Sequence, residues 1–474
     1  MDVLVVGAGP TGLALAHELA LAGVRTAVVE ERSKRIEQTK GGTVQPRTAE
    51  LLDARGLLDA VLARALPRAE VGGHFATLPV PLDCTPWRTR TPHPIPIPQW
   101  EFEEVLEDAA VAKGAQVLRG HPVTGIEPDE TGVTVIAGSA TLRAQYVVAC
   151  DGAHSTVRKL LGVPFPGRPG SYRAVLAEIR LSAASDSVPS TIGHFSSMTR
   201  EGGGFWGVLV PLGGDRYRFT CGSAEEADPS PEGVQRALTA IYDPPTRLAE
   251  VLTSSRFSDA TRQVEQYRSG RVLFAGDAAH IHPPLGGQGL NLGMQDAINL
   301  GWKLAATVAG WAPEGLLDSY HAERHPAAAR VLHHTSAQRV LADVRASEDV
   351  VALREIFTDL MRLPDTNRHL AGMMSGLDAA GRVPDLDLVT DEGPVRLAEL
   401  LRSGRGLLLD LTGSLEVPEG WADRVDVVRA KSEVDYPSLL LRPDATACWF
   451  GDGALADVLR EQFGAPAPVA RSAR

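Results

Sequence analysis

From residue 3 to residue 30 the chain reads VLVVGAGPTGLALAHELALAGVRTAVVE. Val3–Val6 is an unbroken apolar run, too short for a helix and suited to a strand buried on both faces. Gly7-Ala8-Gly9-Pro10-Thr11-Gly12 follows. An apolar helix over 13–22 then stops at Gly23, a residue that accepts the left-handed conformation ending a helix. Pro10 costs little near a helix start, where its missing N–H would have no partner. A second strand over 24–30 ends in Glu30. This is a β-α-β unit with GxGxxG at its first turn, the arrangement that holds a dinucleotide. Gly7 permits the tight turn, Gly9 lets a pyrophosphate approach the backbone, and Gly12 allows helix and strand to pack closely. The helix N-terminus faces the phosphates. Glu30 is suited to a ribose diol and repels a 2′-phosphate, so the tightly held ligand is FAD or NAD and not NADP.

Working outward, 474 residues with 44% hydrophobic and 22% charged composition describe a folded, multi-domain globular chain. A net charge of −12 excludes nucleic-acid and anionic-membrane binders, which need a positive field. Cys84, Cys150, Cys221 and Cys448 form no CxxC pair, so neither a zinc ribbon nor a dithiol motif is expected. The chain enters its first strand without a basic, long apolar leader. The nearest approach to a membrane span, 300–312, contains Lys303. The expectation is a cytoplasmic protein with no membrane partner and no metal.

Segment 91–98, TPHPIPIP, is too rich in proline for a helix or a central strand. A helix over 101–113, a strand near 115–119 and a hairpin pairing 132–137 with 141–149 follow. Strand-like runs between 172 and 222, among them 204–211 and 217–222, suggest a separate antiparallel sheet. A buried strand over 272–275 precedes a helical region from about 289 to 375. Strand-like runs resume at 406–411 and 438–441, and the Pro/Ala-rich tail from 464 is expected to fray.

Two further segments choose between FAD and NAD. One is Cys150-Asp151-Gly152-Ala153-His154-Ser155-Thr156-Val157-Arg158. The other is Gly276-Asp277-Ala278-Ala279-His280, continued by Pro283-Pro284-Leu285-Gly286-Gly287-Gln288-Gly289-Leu290-Asn291. With GxGxxG before them, these motifs make the chain resemble the FAD-dependent aromatic hydroxylases, the group A flavoprotein monooxygenases of the para-hydroxybenzoate hydroxylase type. The resemblance spans essentially the whole chain. It implies an α/β fold with a Rossmann-like FAD-binding domain, an antiparallel-sheet substrate domain and a C-terminal thioredoxin-like domain. The expected boundaries are 1–171 and 266–378 for the FAD-binding parts, 172–265 for the substrate sheet and 379–474 for the last domain, with 70–100 contributing to the substrate site.

The resemblance also implies residue roles. Asp277 bonds FAD hydroxyls. Leu290 and Asn291, with Pro284, Gly287, Gln288 and Gly289 before them, surround the flavin pyrimidine edge, where a helix N-terminus favours the anionic reduced ring. Asp151 and Gly152 lie near FAD and the surface that NADPH or NADH approaches as a transient co-substrate. Thr11, Glu31, Arg32, Arg47, Gln99 and Val123 match cofactor-contacting positions. Lys40-Gly41 stands where the family has Arg-Gly, which leaves a pyrophosphate contact open. Arg218, on the middle sheet, matches a position that reaches the flavin face.

The implied activity is NAD(P)H-dependent hydroxylation of a bulky polycyclic aromatic of polyketide type, with O₂ and a flavin C4a-hydroperoxide. The sibling reading is a rifamycin-inactivating monooxygenase. A flavin halogenase needs a catalytic lysine, and lysine is scarce here; a non-catalytic FAD module is the remaining alternative. The substrate is expected between the middle sheet and the FAD domain, against some of Phe205, Trp206, Tyr217 and Phe219, since strand alternation turns only part of them inward. His321 and His325 are expected on a solvated helix face, His280 and His282 in structural hydrogen bonds, and Cys448 as redox-inert. Monomer and homodimer both stay open.

Overall fold

Every residue of Val3–Val6 is at most 5% exposed, and a strand that dry must have partners on both edges. The computed structural model, which describes residues 1–38, 40–171, 173–223, 228–343 and 346–467, supplies them. Val3–Val6 pairs in parallel with Thr26–Glu30 on one side and Tyr146–Ala149 on the other. Gln116–Arg119 and Val272–Phe274 extend the parallel sheet, and Arg268–Ser269 closes one edge antiparallel. The helices Pro10–Leu21, Gln99–Ala112 and Gln288–Ala309 cover it. A Cβ on Gly12 would collide with the Gly7 carbonyl, so the first helix sits as close to its strand as the missing side chain allows.

The hairpin expected over 132–149 divides in the structure. Val133–Ala137 pairs with Ala140–Ala144 on one side and Val123–Pro128 on the other, and Tyr146–Ala149 leaves to become a central strand of the parallel sheet. Sequence alternation does not mark that exit, because Ala144 and Tyr146–Ala149 are buried alike. The proline-rich segment forms a two-residue strand, Ile95–Pro96, against Thr43–Val44.

Thr199–Gly202, Phe205–Gly213, Arg216–Ser223, Arg173–Ala183 and Arg247–Ser258 form a five-stranded antiparallel sheet in that order. One face is apolar: Val175, Ile179, Leu209, Tyr217 and Phe219 pack against Val234, Ala237 and Leu238 of the amphipathic helix Pro231–Ile241. Alternation therefore turns Arg218 and Thr220 to the opposite face, which borders the cavity described below.

Beyond the helices Ser319–Leu341, Glu348–Met361 and Pro364–Ser375, a four-stranded sheet orders Val425–Arg429, Gly406–Asp410, Leu439–Leu441 and Ala447–Trp449. Its Leu408, Leu440 and Trp449 pack on Leu459 and Phe463 of the helix Leu455–Phe463. Buried ions fasten this unit to the first. Arg55 holds Glu18 with two nitrogens and donates to the Leu401 carbonyl at 3.0 Å. Arg442 bridges Glu323 at 2.8 Å and Asp444 at 2.6 Å, beside a fully buried Lys303 that pairs with Glu323 at 2.9 Å. No described helix is long and apolar enough to cross a membrane. Residues 468–474 of the tail lie outside the described residues.

Candidate active site

One cavity of about 2290 Å³ runs between the glycine turn, the middle sheet and the helix Pro364–Ser375. Sites for a single small ligand are typically about 300–1,000 Å³, so this space holds more than one. Its floor is the first turn. Gly7 has φ +104, and a Cβ there would press on the Cys150 carbonyl at 2.5 Å, whereas a Cβ on Gly9 would meet nothing within 4 Å. Gly9 thus borders open space, as a backbone approached by a ligand should. Glu30 holds this turn in shape: it accepts from the Ala8 N–H at 2.9 Å and from the Arg32 N–H at 3.0 Å.

The second wall is the start of the helix Gln288–Ala309. Gly286 and Gly287 are left-handed, with φ +75 and +62, and aim the helix N-terminus at the cavity. The first N–H groups of a helix lack partners within it, so Gln288, Gly289 and Leu290 offer donors there. Asp277 opens onto the same space, and burial pushes its carboxyl up, partly offset by His280 and Lys40. Asp151 accepts from the Val157 N–H at 3.0 Å through one oxygen, while its other oxygen is buried with no partner. Gln99 receives the Gly41 N–H at 2.8 Å and donates to Glu103 at 2.7 Å, which fixes its amide at the cavity edge.

The lining includes Gly7, Gly9, Thr11, Glu30, Glu31, Arg32, Lys40, Gln99, Val123, Asp151, Gly152, Arg218, Asp277, Pro284, Gly287, Gln288, Gly289 and Leu290. Three expected site residues stand outside it. Gly12 is consumed by packing. Arg47 turns away from the cavity, pairing with Glu50 at 3.2 Å and donating to the Ala445 carbonyl. Asn291 is a buried cross-link: its side chain accepts from the Gln45 N–H at 2.8 Å and donates to the Thr43 and Gly287 carbonyls. As the fourth residue of its helix it also has a backbone donor that belongs to the helical ladder.

His280 lies in a buried chain that the motifs did not reveal. Its Nε2 meets Asp296 at 2.6 Å, and the other Asp296 oxygen takes Arg324 at 2.8 Å. Burial raises the Asp296 carboxyl, but His280 and Arg324 outweigh it and hold the group low. His282 donates from Nδ1 to the Pro283 carbonyl, and burial drives its ring down to about 4. His321 and His325 are not on a solvated face: they pack around Tyr267, with ring centroids 5.8 and 5.4 Å away. All four cysteines are free thiols, and no described group of three His, Cys, Asp or Glu could hold a metal.

Of the four candidate aromatics, Phe205 and Trp206 line the cavity, while Tyr217 and Phe219 belong to the core beneath Pro231–Ile241. Arg218 faces Glu178 across the strand register; burial lowers its pKa, and its Nε is buried without a hydrogen bond. Arg35, Arg119, Arg158, Lys159, Arg256 and Arg262 add further cationic lining in a chain whose net charge is −12. The loop carrying His74, the His194–Phe195 pair and the residues Ala371, Met374 and Ser375 also line the cavity. No motif signals them, because each reaches the space through tertiary packing.

Comparison with known proteins agrees with this geometry. The family described as FAD binding domain matches residues 1–335, and that described as aromatic-ring hydroxylase, C-terminal, matches 379–466. A 12-dehydrotetracycline 5-monooxygenase/anhydrotetracycline 6-monooxygenase of Streptomyces rimosus is 44% identical, over 98% of this chain and 99% of its own. A rifampicin monooxygenase of Streptomyces venezuelae is also 44% identical, over 95% of this chain and 96% of its own. Among solved structures, an anhydrotetracycline hydroxylase from Streptomyces rimosus superposes with a TM-score of 0.88 at 42% identity, covering 98% of this chain and 99% of the other. An aromatic hydroxylase from angucycline biosynthesis gives 0.87 at 36% identity, with coverage of 98% and 99%. The chain belongs to the FAD-dependent aromatic-ring hydroxylase family of monooxygenases.

Proposed function

We propose that this protein is an NAD(P)H- and FAD-dependent monooxygenase that hydroxylates a bulky polycyclic aromatic substrate of polyketide type. The observation that carries the reading is a cavity continuous from a dinucleotide-type glycine turn to the inner face of an antiparallel sheet. The open space at Gly9, the unpartnered oxygen of Asp151 and the free helix N-terminus fit a dinucleotide cofactor. We take 1–171 and 266–378 as a Rossmann-like FAD-binding domain, 172–265 as the substrate domain and 379–474 as a thioredoxin-like domain, in a cytoplasmic enzyme.

FAD bound here would supply the redox chemistry, hydride acceptance from NAD(P)H and activation of O₂ for transfer of one oxygen atom to an electron-rich ring. The chain does the rest. Gly7 and Gly9 would admit a pyrophosphate to the backbone, and Lys40 and Arg32 line the same space. Glu30 is placed for the adenosine ribose, and Asp277 and Asp151 for hydroxyls further along. The N–H groups of Gln288, Gly289 and Leu290 stabilise negative charge on the ring system. Arg218 faces the same space from the sheet. Phe205 and Trp206 present apolar surface to a planar substrate, at roughly 25 cal/mol per Å² of apolar area buried.

The test is ¹⁸O₂ incorporation into anhydrotetracycline or a hydroxyanthraquinone with substrate-stimulated NADPH oxidation. One labelled atom per NADPH is expected, and oxidation that no polycyclic substrate accelerates would overturn the reading. A rifampicin-inactivating activity is the second reading, supported by the 44% identical Streptomyces venezuelae relative. Rifampicin that stimulates oxidation more than the tetracyclic and tricyclic compounds would favour it.

A further inference from the structure

One stretch of the cavity wall that none of the three motifs accounts for carries two imidazoles. His74 belongs to the loop 68–82, and His194 precedes the short helix Phe195–Met198. The bridge between Arg68 and Ile192, with the Ala69 N–H donating to the Ile192 carbonyl at 2.9 Å, ties the two segments together. His74 then lies flat on Phe195, with ring centroids 4.6 Å apart and planes 18° apart. His194 stands edge-on to it at 6.4 Å. All three line the cavity.

The backbone decides which nitrogen of His74 carries the proton. The Thr77 N–H donates to Nδ1 at 3.3 Å, so the neutral ring must hold its hydrogen on Nε2. That contact depends on an unusual turn, since Ala76 and Thr77 have φ of 50 and 61. Two successive left-handed residues without glycine are strained, and such strain persists only where surrounding structure enforces it. Here Phe75 and Ala76 are buried in a cluster with Met361, Leu370 and Met374. Phe75 stacks on Phe357 at 5.4 Å, and the Ala76 N–H donates to Gln338 at 3.0 Å. Burial, with His194 beside it, holds the His74 ring down at about 4, which makes it a neutral donor and not an acid–base group.

We propose that the Nε2–H of His74 selects a ring-carbonyl oxygen on the polycyclic substrate, making His74 a specificity-determining residue. The inference rests on the polycyclic reading of the same cavity. With Nδ1 already capped, the ring has only a donor to offer, and a quinone-type oxygen only accepts. A ring that lacks this oxygen leaves a desolvated N–H without a partner, the situation that discriminates most strongly between otherwise similar ligands.

The experiment titrates the oxidised, FAD-loaded protein with 2-hydroxyanthraquinone and with 2-hydroxyanthracene, following the flavin absorption spectrum. The measured quantity is the ratio of the two dissociation constants, which cancels differences in FAD content. His74→Phe keeps a ring to stack on Phe195 but removes the donor, and the preference for the quinone is expected to fall about tenfold. His74→Gln, which restores an N–H at similar reach, is expected to regain part of it. His74→Leu replaces the Phe variant if that one does not retain FAD. A ratio that stays within about twofold of wild type in the donorless variant would overturn the assignment of His74 and leave the polycyclic reading standing. If neither ring binds the wild-type protein, the polycyclic reading fails and the assignment falls with it.

Discussion

Single residues divide into those whose role follows from local chain geometry and those placed by distant packing. Gly7, Gly9 and Gly12 are legible because the turn they form is local. Arg47 is not: its guanidinium is drawn to the Ala445 carbonyl, 398 positions away in sequence, and nothing near residue 47 announces that contact. Asp277 lies between these cases, local in motif but tertiary in energetics. Burial raises its carboxyl, so above its folded pKa the ionised form weakens the fold, and the penalty is relieved as pH falls through that pKa toward the ordinary carboxylate value. Asp277→Asn removes the penalty together with the proposed cofactor contact. The FAD-free variant is therefore expected to melt at a higher temperature than the FAD-free parent at pH 7.5, with the difference shrinking as the pH falls through the raised folded pKa. Its affinity for FAD is expected to fall at least about tenfold, the loss of a charge-assisted hydrogen bond. Melting scans of stripped protein and FAD fluorescence titration check both halves, and unchanged FAD affinity would remove Asp277 from the site.

At the scale of an element, the strand–turn–helix Val3–Leu21 separates structural glycines from functional ones. A Cβ on Gly12 strikes the Gly7 carbonyl, whereas a Cβ on Gly9 strikes nothing. Gly12→Ala is expected to leave little soluble protein. Gly9→Ala is expected to fold within about 1 kcal/mol of wild type yet bind FAD weakly, because the added methyl occupies the open space proposed for the pyrophosphate. Parallel denaturation and FAD titration distinguish the two; normal affinity in the Gly9→Ala variant would show that no ligand approaches that backbone. The helix Gln288–Ala309 carries a second dependence. Asp296 sits fully buried on it between His280 and Arg324, and Asp296→Asn is expected to cost about 3–5 kcal/mol by breaking a buried pair. Because the folded carboxyl is held low, this contribution is present above the ordinary carboxylate range and fades as pH falls through the folded value. Urea denaturation at pH 7 and at pH 3 should show the gap between variant and wild type narrowing at the lower pH. GDAAH points to His280, but Asp296 and Arg324 lie outside any motif, and only the packing of two helices brings them to it.

Across the whole molecule, the sequence reads correctly as a parallel sheet interrupted by an antiparallel one, because apolar runs and their spacing survive without tertiary information. The docking of the last unit does not survive in that way. It rests on ions such as Arg55, Glu18, Arg442 and Glu323, whose types alone would suggest a solvated surface. Glu323→Gln leaves Lys303, whose side chain is 0% exposed, without its carboxylate and is expected to cost about 2 kcal/mol. Thermal unfolding should then begin at the C-terminal unit, which limited proteolysis would detect as early cleavage after residue 378; a single unchanged transition would refute the dependence. The cavity draws its cations from equally scattered positions, and the contrast with the negative exterior has a kinetic result. On the proposed reading, a polyanionic reductant would be repelled by the net charge at long range and attracted by the cationic lining at short range, so its arrival rate would respond to ionic strength over a Debye length of about 10 Å at 0.1 M salt. An uncharged aromatic feels neither field. Buffer salt alone can therefore exchange which of the two encounters limits turnover, with no change in any residue.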